Sequence, residues 1–209
     1  MRFLITTFLA LTHYALAAPL EPVALESGVS PTKQYDVVLE ADKDTPAFDR
    51  YEMKGDDSQF PRFFIRHLPS GTTVGSLRWP GDPSGGDSQP LRSHTKVLWS
   101  PDGSAVAINT DERFYSFTSV LASDPKSGKF VRVQFPDYKK LTGHATPKSE
   151  DLKPRGFSQS VCWTPKGFLV YEFGYSPAAS YSGSDPLHYR ITLRVTSRGM
   201  EVISSEPLN

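Results

Sequence analysis

The sequence has almost no cysteine and no excess of charge of either sign. Cys162 is the single cysteine among 209 residues, so no disulfide can form within the chain. The 23 basic and 23 acidic residues cancel, and the chain contains no Asn-x-Ser/Thr glycosylation acceptor. No basic patch of the kind that selects nucleic acid is visible. These absences argue against a disulfide scaffold and a nucleic-acid partner, and they favour a bacterial over a eukaryotic secretory route.

Long hydrophobic runs are also absent, so we predict no membrane span, which would need about 20 apolar residues. The first 17 residues combine a single charge at Arg2, an apolar stretch over residues 3–11 and the small pair Ala15 and Ala17. A basic start, a short apolar middle and a small-x-small end are typical of a secretory signal peptide. We therefore expect cleavage before Ala18 and a periplasmic or secreted mature protein.

Aromatic residues and turn formers are abundant. Aromatics make up 12% of the chain, with 18 prolines and 15 glycines, and this composition favours strands and turns over long helices. Apolar and polar side chains alternate over residues 189–195, as expected for a strand with one solvated face. Residues 18–33 are rich in Pro, Ser and Glu, and we expect a flexible lead-in there. Residues 34–209 are predicted to form a single all-β domain of antiparallel sheets.

Two segments share one pattern, apolar-x-Trp-(Ser/Thr)-Pro-x-Gly, followed by a strand. One segment contains Trp99 and the other Trp163. A Trp at the end of a strand buries a large area, and the Pro and Gly make a turn that brings the next strand back antiparallel. We predict that the two tryptophans are structural equivalents and that both are buried.

The Trp-Ser-Pro-Asp-Gly step, residues 99–103, resembles the blade repeat of bacterial Trp-Asp-like β-propellers, including the Tol-type periplasmic propeller. The resemblance implies four-stranded, blade-like sheets over residues 94–135 and 158–204, and a diverged third unit over 34–79. Propellers typically have 4–8 blades, whereas this chain offers three at most. The expected architecture is an open stack of blade-like sheets or a sandwich, with a ring completed by a partner chain as the alternative.

An unclosed stack leaves sheet edges, and the candidate edge strands are residues 34–40 and 200–204. An exposed edge invites pairing with another strand, and Asp36, Glu40 and Glu201 are placed to oppose such pairing by their charge. The sequence thus predicts a protein partner or self-association through a sheet edge or the flanking sheet face.

No motif carries recognisable chemistry. Gly174-Tyr175-Ser176 approaches the Gly-x-Ser-x-Gly motif of serine hydrolases, but Pro177 lacks the N–H that the oxyanion hole requires. The histidines of the mature chain show no metal-ligand spacing, and Cys162 is expected to be a small buried hydrophobe. We therefore predict no catalytic residue, no metal site and no cofactor.

The function we expect is that of an exported, non-enzymatic binding or interaction module of the cell envelope. The candidate contact residues are Trp79, Tyr175 and Tyr181, for which ordinary packing is the alternative interpretation.

Two other functions remain open from the sequence. One is an exported hydrolase whose site assembles across loops, which clustering of Asp111, Glu172 or His188 in one pocket would favour. The other is an inactive remnant of a larger propeller, which exposed and unpaired edge strands would favour.

Overall fold

The chain forms three antiparallel β-sheets that follow one another along the sequence. The computed structural model of the chain describes residues 21–41, 62–78, 95–111 and 116–208. Sheet I contains β1 (Glu21–Val29), β2 (Tyr35–Ala41), β3 (Arg62–His67) and β4 (Thr72–Arg78). Sheet II contains β5 (Thr95–Trp99), β6 (Ala105–Asp111), β7 (Ser116–Ser123) and β8 (Phe130–Val133). Sheet III contains β9 (Leu152–Trp163), β10 (Phe168–Pro177), β11 (His188–Thr196) and β12 (Gly199–Pro207).

Within each sheet, every strand pairs antiparallel with the next strand along the chain. Sheets II and III touch at one parallel pairing between β7 and β9, where Ser116 lies opposite Phe157. The all-β fold class and the four-stranded, blade-like sheets predicted from the sequence are therefore confirmed.

The sheets stack face to face in chain order. One apolar core lies between sheets I and II, and its largest fully buried members are Phe63, Ile65, Ile108 and Leu121. A second lies between sheets II and III and includes Val120, Leu169, Ile191 and Leu193. No core cluster of the described residues joins sheet I to sheet III. The sheets thus form an open stack.

Each sheet turns from its first strand to its second through the same hydrogen-bonded hairpin. The backbone N–H of the residue before Pro donates to the first carbonyl of the second strand, at 2.8 Å for Ser30, Ser100 and Thr164. The hydroxyl of the same residue accepts from that strand's first N–H, at 3.1, 2.9 and 3.1 Å. The Ser/Thr-Pro step is therefore a structural repeat, and sheet I carries it as well.

The fourth residue of each turn adopts the left-handed conformation. Gly103 and Gly167 have φ of 70° and 76°, as the sequence predicts, and Lys33 has φ of 58° at the equivalent place in sheet I. A side chain rarely tolerates this conformation, so sheet I carries a diverged copy of the turn. Val29 also stands where the other two sheets have Trp, and it is 55% exposed.

The expected flexible lead-in over residues 18–33 is wrong for most of its length, because β1 occupies Glu21–Val29. Val23 and Leu25 alternate with exposed residues and pack into the core between sheets I and II. The Pro, Ser and Glu content suggested a loop. Two apolar residues at a spacing of two are nevertheless enough to pack the first strand of sheet I against the core.

The front edge predicted at residues 34–40 is also wrong, since β2 pairs with β1 on one side and β3 on the other. Asp36 is buried and accepts hydrogen bonds from the Arg66 guanidinium, with Nε at 3.1 Å. This hydrogen bond raises the pKa of Arg66. The second predicted edge, residues 200–204, lies in β12, which pairs with β11 alone among the described strands, so this edge is as predicted.

The connection between β8 and β9 contains two short helical turns. Helix α1 (Tyr138–Thr142) is capped by the Asp137 carboxylate, which accepts from Lys140 N at 2.8 Å. A 3-10 turn at Ser149–Asp151 leads into β9. Tyr138 and Leu141 of α1 are buried, so this connection packs as part of the fold.

Candidate functional site

The two tryptophans of the repeat join each sheet to the sheet before it. Trp99 Nε1 of sheet II donates to the Gly28 carbonyl of sheet I at 2.8 Å. Trp163 Nε1 of sheet III donates to the Leu98 carbonyl of sheet II at 3.0 Å. Both acceptors lie two residues before the Ser-Pro step of the preceding sheet. Trp99 is buried and Trp163 is half-buried, so their predicted equivalence holds in position but not in depth.

A second contact between sheets uses the side-chain amide of Asn109 on β6. Its Nδ2 donates to the Ser160 carbonyl at 2.7 Å, and its Oδ1 accepts from the Ser160 backbone N–H at 3.0 Å. The Thr118 hydroxyl also donates to Oδ1 at 2.8 Å. Asn109 is 5% exposed. A buried amide thus pairs with the innermost strand of the following sheet much as another strand would.

The face of sheet III that points away from sheet II has no further sheet packed on it among the described residues. On β10, Leu169 and Tyr171 face sheet II, so Phe168, Val170 and Glu172 lie on the opposite, open face. Cys162 pairs with Val170 and is exposed on that side. The expectation of a buried cysteine is therefore wrong, because burial in this repeat requires a following sheet.

Sheet III has counterparts of both positions that contact the following sheet elsewhere in the stack, and they lie on its open face. Gly28 and Leu98, the two indole acceptors, correspond to Cys162, which precedes Trp163 as Leu98 precedes Trp99. Glu172 corresponds to Asn109. Trp99 lies opposite Val106 and Trp163 lies opposite Leu169 in the strand pairing, and Asn109 and Glu172 each come three residues after that partner.

The Glu172 carboxylate is largely enclosed and lies beside the Arg190 guanidinium and the His188 imidazole. Its side chain is 15% exposed, and Oε1 accepts from Arg190 Nη2 at 2.8 Å and Nε at 3.2 Å. This hydrogen bonding raises the pKa of Arg190. His188 Nε2 lies 4.0 Å from Oε2. Oε2 therefore faces the imidazole while Oε1 is committed to Arg190.

A shallow polar cavity of about 180 Å³ lies along β9 at the junction of sheets II and III. Its walls are formed by Lys96, Asn109, Gln159, Ser160, Val161 and Glu172. Val161 is 38% exposed at the position where the register of β9 against β10 shifts by one residue. The innermost strand of sheet III thus presents both polar and apolar groups to solvent.

The outer strands of the open face are charged. Arg194 Nη1 lies 2.6 Å from Glu201 Oε2, and its guanidinium carbon lies 5.6 Å from the centroid of the Phe168 ring. Arg190 and Arg194 retain 45% and 52% side-chain exposure. The face therefore combines Cys162, Phe168 and Val170 with the Glu172–Arg190 pair on β9 to β11, and it carries the Arg194–Glu201 pair on its two outer strands.

The structure describes two of the three contact residues predicted from the sequence, Tyr175 and Tyr181. Tyr175 is half-buried on β10, with its ring centroid 5.3 Å from Phe173 and 6.2 Å from Tyr138. Tyr181 lies in the β10–β11 connection, where its hydroxyl donates to the Asp185 carbonyl at 3.2 Å. Trp79 lies outside the described residues. Neither tyrosine lines the cavity along β9.

The residues of an assembled hydrolytic site are only partly brought together. Glu172 of β10 and His188 of β11 are neighbours, whereas Asp111 is the last residue of β6 in sheet II. Ser176 lies within β10 and not at a strand-to-helix turn. Within the described ranges, no three His, Cys, Asp or Glu side chains are grouped as metal ligands.

The described helices include none that is long and apolar enough to cross a membrane. The class that the fold defines is an all-β stack of three four-stranded, blade-like antiparallel sheets. No protein-family model matches the chain, and no curated protein matches it.

Proposed function

We propose that the chain is an exported, non-enzymatic interaction module of the cell envelope, and that the open face of sheet III is its protein-binding surface. The observation that carries the proposal is the repetition of contacts between sheets. The backbone carbonyls of Gly28 and Leu98 each accept a hydrogen bond from an indole of the next sheet. The equivalent residue of sheet III, Cys162, lies on a face where its thiol is exposed. A surface that retains the contact positions of an internal interface is suited to receive a similar surface.

We also propose that the three sheets are diverged blades of the Trp-Asp-like, Tol-type propeller class. The three turns support this descent because they share hydroxyl, carbonyl and left-handed positions. Sheet I has diverged furthest, with Val29 in place of Trp and Lys33 in place of Gly.

Export predicts a defined mature N-terminus. When the full chain is produced in a bacterium with an active secretion pathway, the recovered protein should begin at Ala18, because Ala15 and Ala17 form the cleavage signal. N-terminal sequencing of the periplasmic or secreted fraction measures this directly. Replacing Ala17 with Asp should block processing and retain residues 1–17. A processed, extracytoplasmic chain that still carries residues 3–11 contradicts the assignment.

The binding surface can be tested through its native thiol. In the folded mature protein, Cys162 should react rapidly with a small maleimide, since the side chain is exposed and the chain has no other cysteine. Addition of the envelope fraction of the source cells should slow this reaction. The same fraction should not protect the thiol of the Val161→Asp variant, whose new charge lies beside Cys162.

The alternatives give different results in the same assay. Absence of protection by any envelope component contradicts the binding function and favours an inactive propeller remnant. Loss of protection on dilution of the protein alone indicates self-association instead of a heterologous partner. Hydrolysis of an envelope polymer, abolished by Glu172→Gln, would favour the exported hydrolase.

A further inference from the structure

We infer that the partner of the open face of sheet III is a blade-like sheet of another protein whose innermost strand ends in a tryptophan before a Ser/Thr-Pro turn. This inference rests on the proposed function and names the partner's chemistry. It comes from the tryptophan–carbonyl contact between sheets, whose register is the same at both internal junctions.

The acceptor position is fixed by the repeat. At each junction the indole reaches the carbonyl two residues before the Ser/Thr-Pro step of the preceding sheet: Gly28 for Ser30 and Leu98 for Ser100. In sheet III the step begins at Thr164, so the equivalent carbonyl is that of Cys162. A tryptophan docked on it would cover the apolar side chain of Val170, which lies opposite Cys162 on β10.

A second contact is expected at Glu172, which occupies in sheet III the position that Asn109 occupies in sheet II. The Asn109 amide both donates to and accepts from the backbone of the following sheet. The carboxylate of Glu172 can only accept, but Arg190, bound to its Oε1, still has donors of its own. Glu172 and Arg190 together therefore offer a docking strand the acceptor and the donor that Asn109 combines.

The outer part of the face indicates that this docking is reversible. The faces that sheets I and II turn towards the next sheet carry apolar residues on their second and third strands, with Val37 and Phe63 in sheet I and, beside the buried Asn109, Ala107 and Val120 in sheet II. On sheet III, the Arg194–Glu201 pair lies on the third and fourth strands. A small apolar centre with a charged rim is the composition of a non-obligate interface.

A second copy of this chain does not supply the required group from its own first sheet. The residue at the tryptophan position of sheet I is Val29, which has no indole to donate. Head-to-tail growth of the stack through the sheet I position therefore ends at the first sheet, and we assign the docking tryptophan to a different protein.

The test uses the mature protein and a cyclised synthetic peptide of residues 95–111, which reproduces the β5–β6 hairpin with its tryptophan. The readout is the rate at which Cys162 reacts with a small aromatic disulfide. At about 1 mM, the peptide should slow the reaction at least about threefold, which corresponds to a Kd below about 0.5 mM. The same peptide with Trp99→Ala should leave the rate unchanged. Absence of protection, or equal protection by both peptides, overturns the inference.

Two protein variants locate the contact. Val161→Asp alters an exposed residue beside Cys162 and should abolish protection, whereas Val29→Asp alters a more exposed residue on sheet I and should preserve it. Full protection of the Val161→Asp variant contradicts the location. A concentration-dependent dimer that Val161→Asp disrupts assigns the face to a second copy and overturns the partner class.

The outcomes also separate this inference from the proposed function. Protection of Cys162 by the envelope fraction but not by the tryptophan hairpin overturns the blade partner and leaves the binding function. Protection by the hairpin but not by the envelope fraction supports the surface and contradicts the role in the envelope.

Discussion

Replacing Trp99 with alanine should lower the free energy of unfolding by about 3–5 kcal/mol, the range for deleting a large buried aromatic side chain. The indole is 8% exposed, packs edge-on against Phe130 with ring centroids 5.8 Å apart, and lies 6.3 Å from the Tyr35 ring. Its removal leaves a cavity between sheets I and II. It also removes the donor to Gly28. Urea unfolding monitored by circular dichroism measures the change.

Two other variants calibrate this loss. Trp163→Ala should cost less, because the Trp163 indole is half-buried although it makes the same kind of hydrogen bond. Val29→Ala, at the equivalent position of sheet I, should change stability by less than about 0.5 kcal/mol because Val29 is 55% exposed. A loss for Trp99→Ala no greater than that for Val29→Ala contradicts the role of the indole in joining the sheets.

The repeated turn could be recognised from the sequence in the two sheets that retain its Trp, Ser/Thr, Pro and Gly. The Trp-(Ser/Thr)-Pro-x-Gly patterns around Trp99 and Trp163 predicted two four-stranded units, because Pro and Gly constrain the backbone locally. Sheet I retains only Ser30-Pro31 of this pattern. The Ser30-Pro31 step before the alternating apolar residues of β2 was the available signal that another strand, β1, precedes the turn. This signal was hard to recognise because the Trp and Gly of the pattern are missing.

The contacts between sheets were not predictable from the sequence. The acceptor of the Trp163 indole is the backbone carbonyl of Leu98, 65 residues earlier, and a carbonyl has no sequence signature. The pairing of Asn109 with the Ser160 backbone is similarly distant, at 51 residues. The exposure of Cys162 depends on which side of sheet III receives a neighbour, and local alternation cannot specify this. The candidate site therefore emerged only once the sheets were stacked.

Replacing Asn109 with alanine should lower the free energy of unfolding by about 2–4 kcal/mol, because a buried donor and a buried acceptor of Ser160 lose their partner together. Most of this cost is desolvation, since the side chain removed is small. Thr118→Val is the comparison: it removes one hydroxyl, whose proton is shared between Asn109 Oδ1 at 2.8 Å and the Ser158 carbonyl at 3.2 Å, and should cost about 1 kcal/mol. Urea unfolding compares the two variants. An equal cost for both contradicts the function of Asn109 as a bridge between sheets.

The isosteric variant Asn109→Asp separates hydrogen bonding from packing through its pH dependence. The new carboxylate would face the Ser160 carbonyl in a position that is 5% exposed, and burial raises the pKa of a carboxyl group. The folded-state pKa would then exceed the unfolded value of about 3.9. The variant therefore keeps most of its stability below about pH 4, where the protonated acid can still donate to the carbonyl, and loses it progressively as the pH rises. The difference in unfolding free energy from the wild type, measured at pH 4 and pH 7, should be larger at pH 7. A difference that does not change with pH would mean that the amide acts only by filling space.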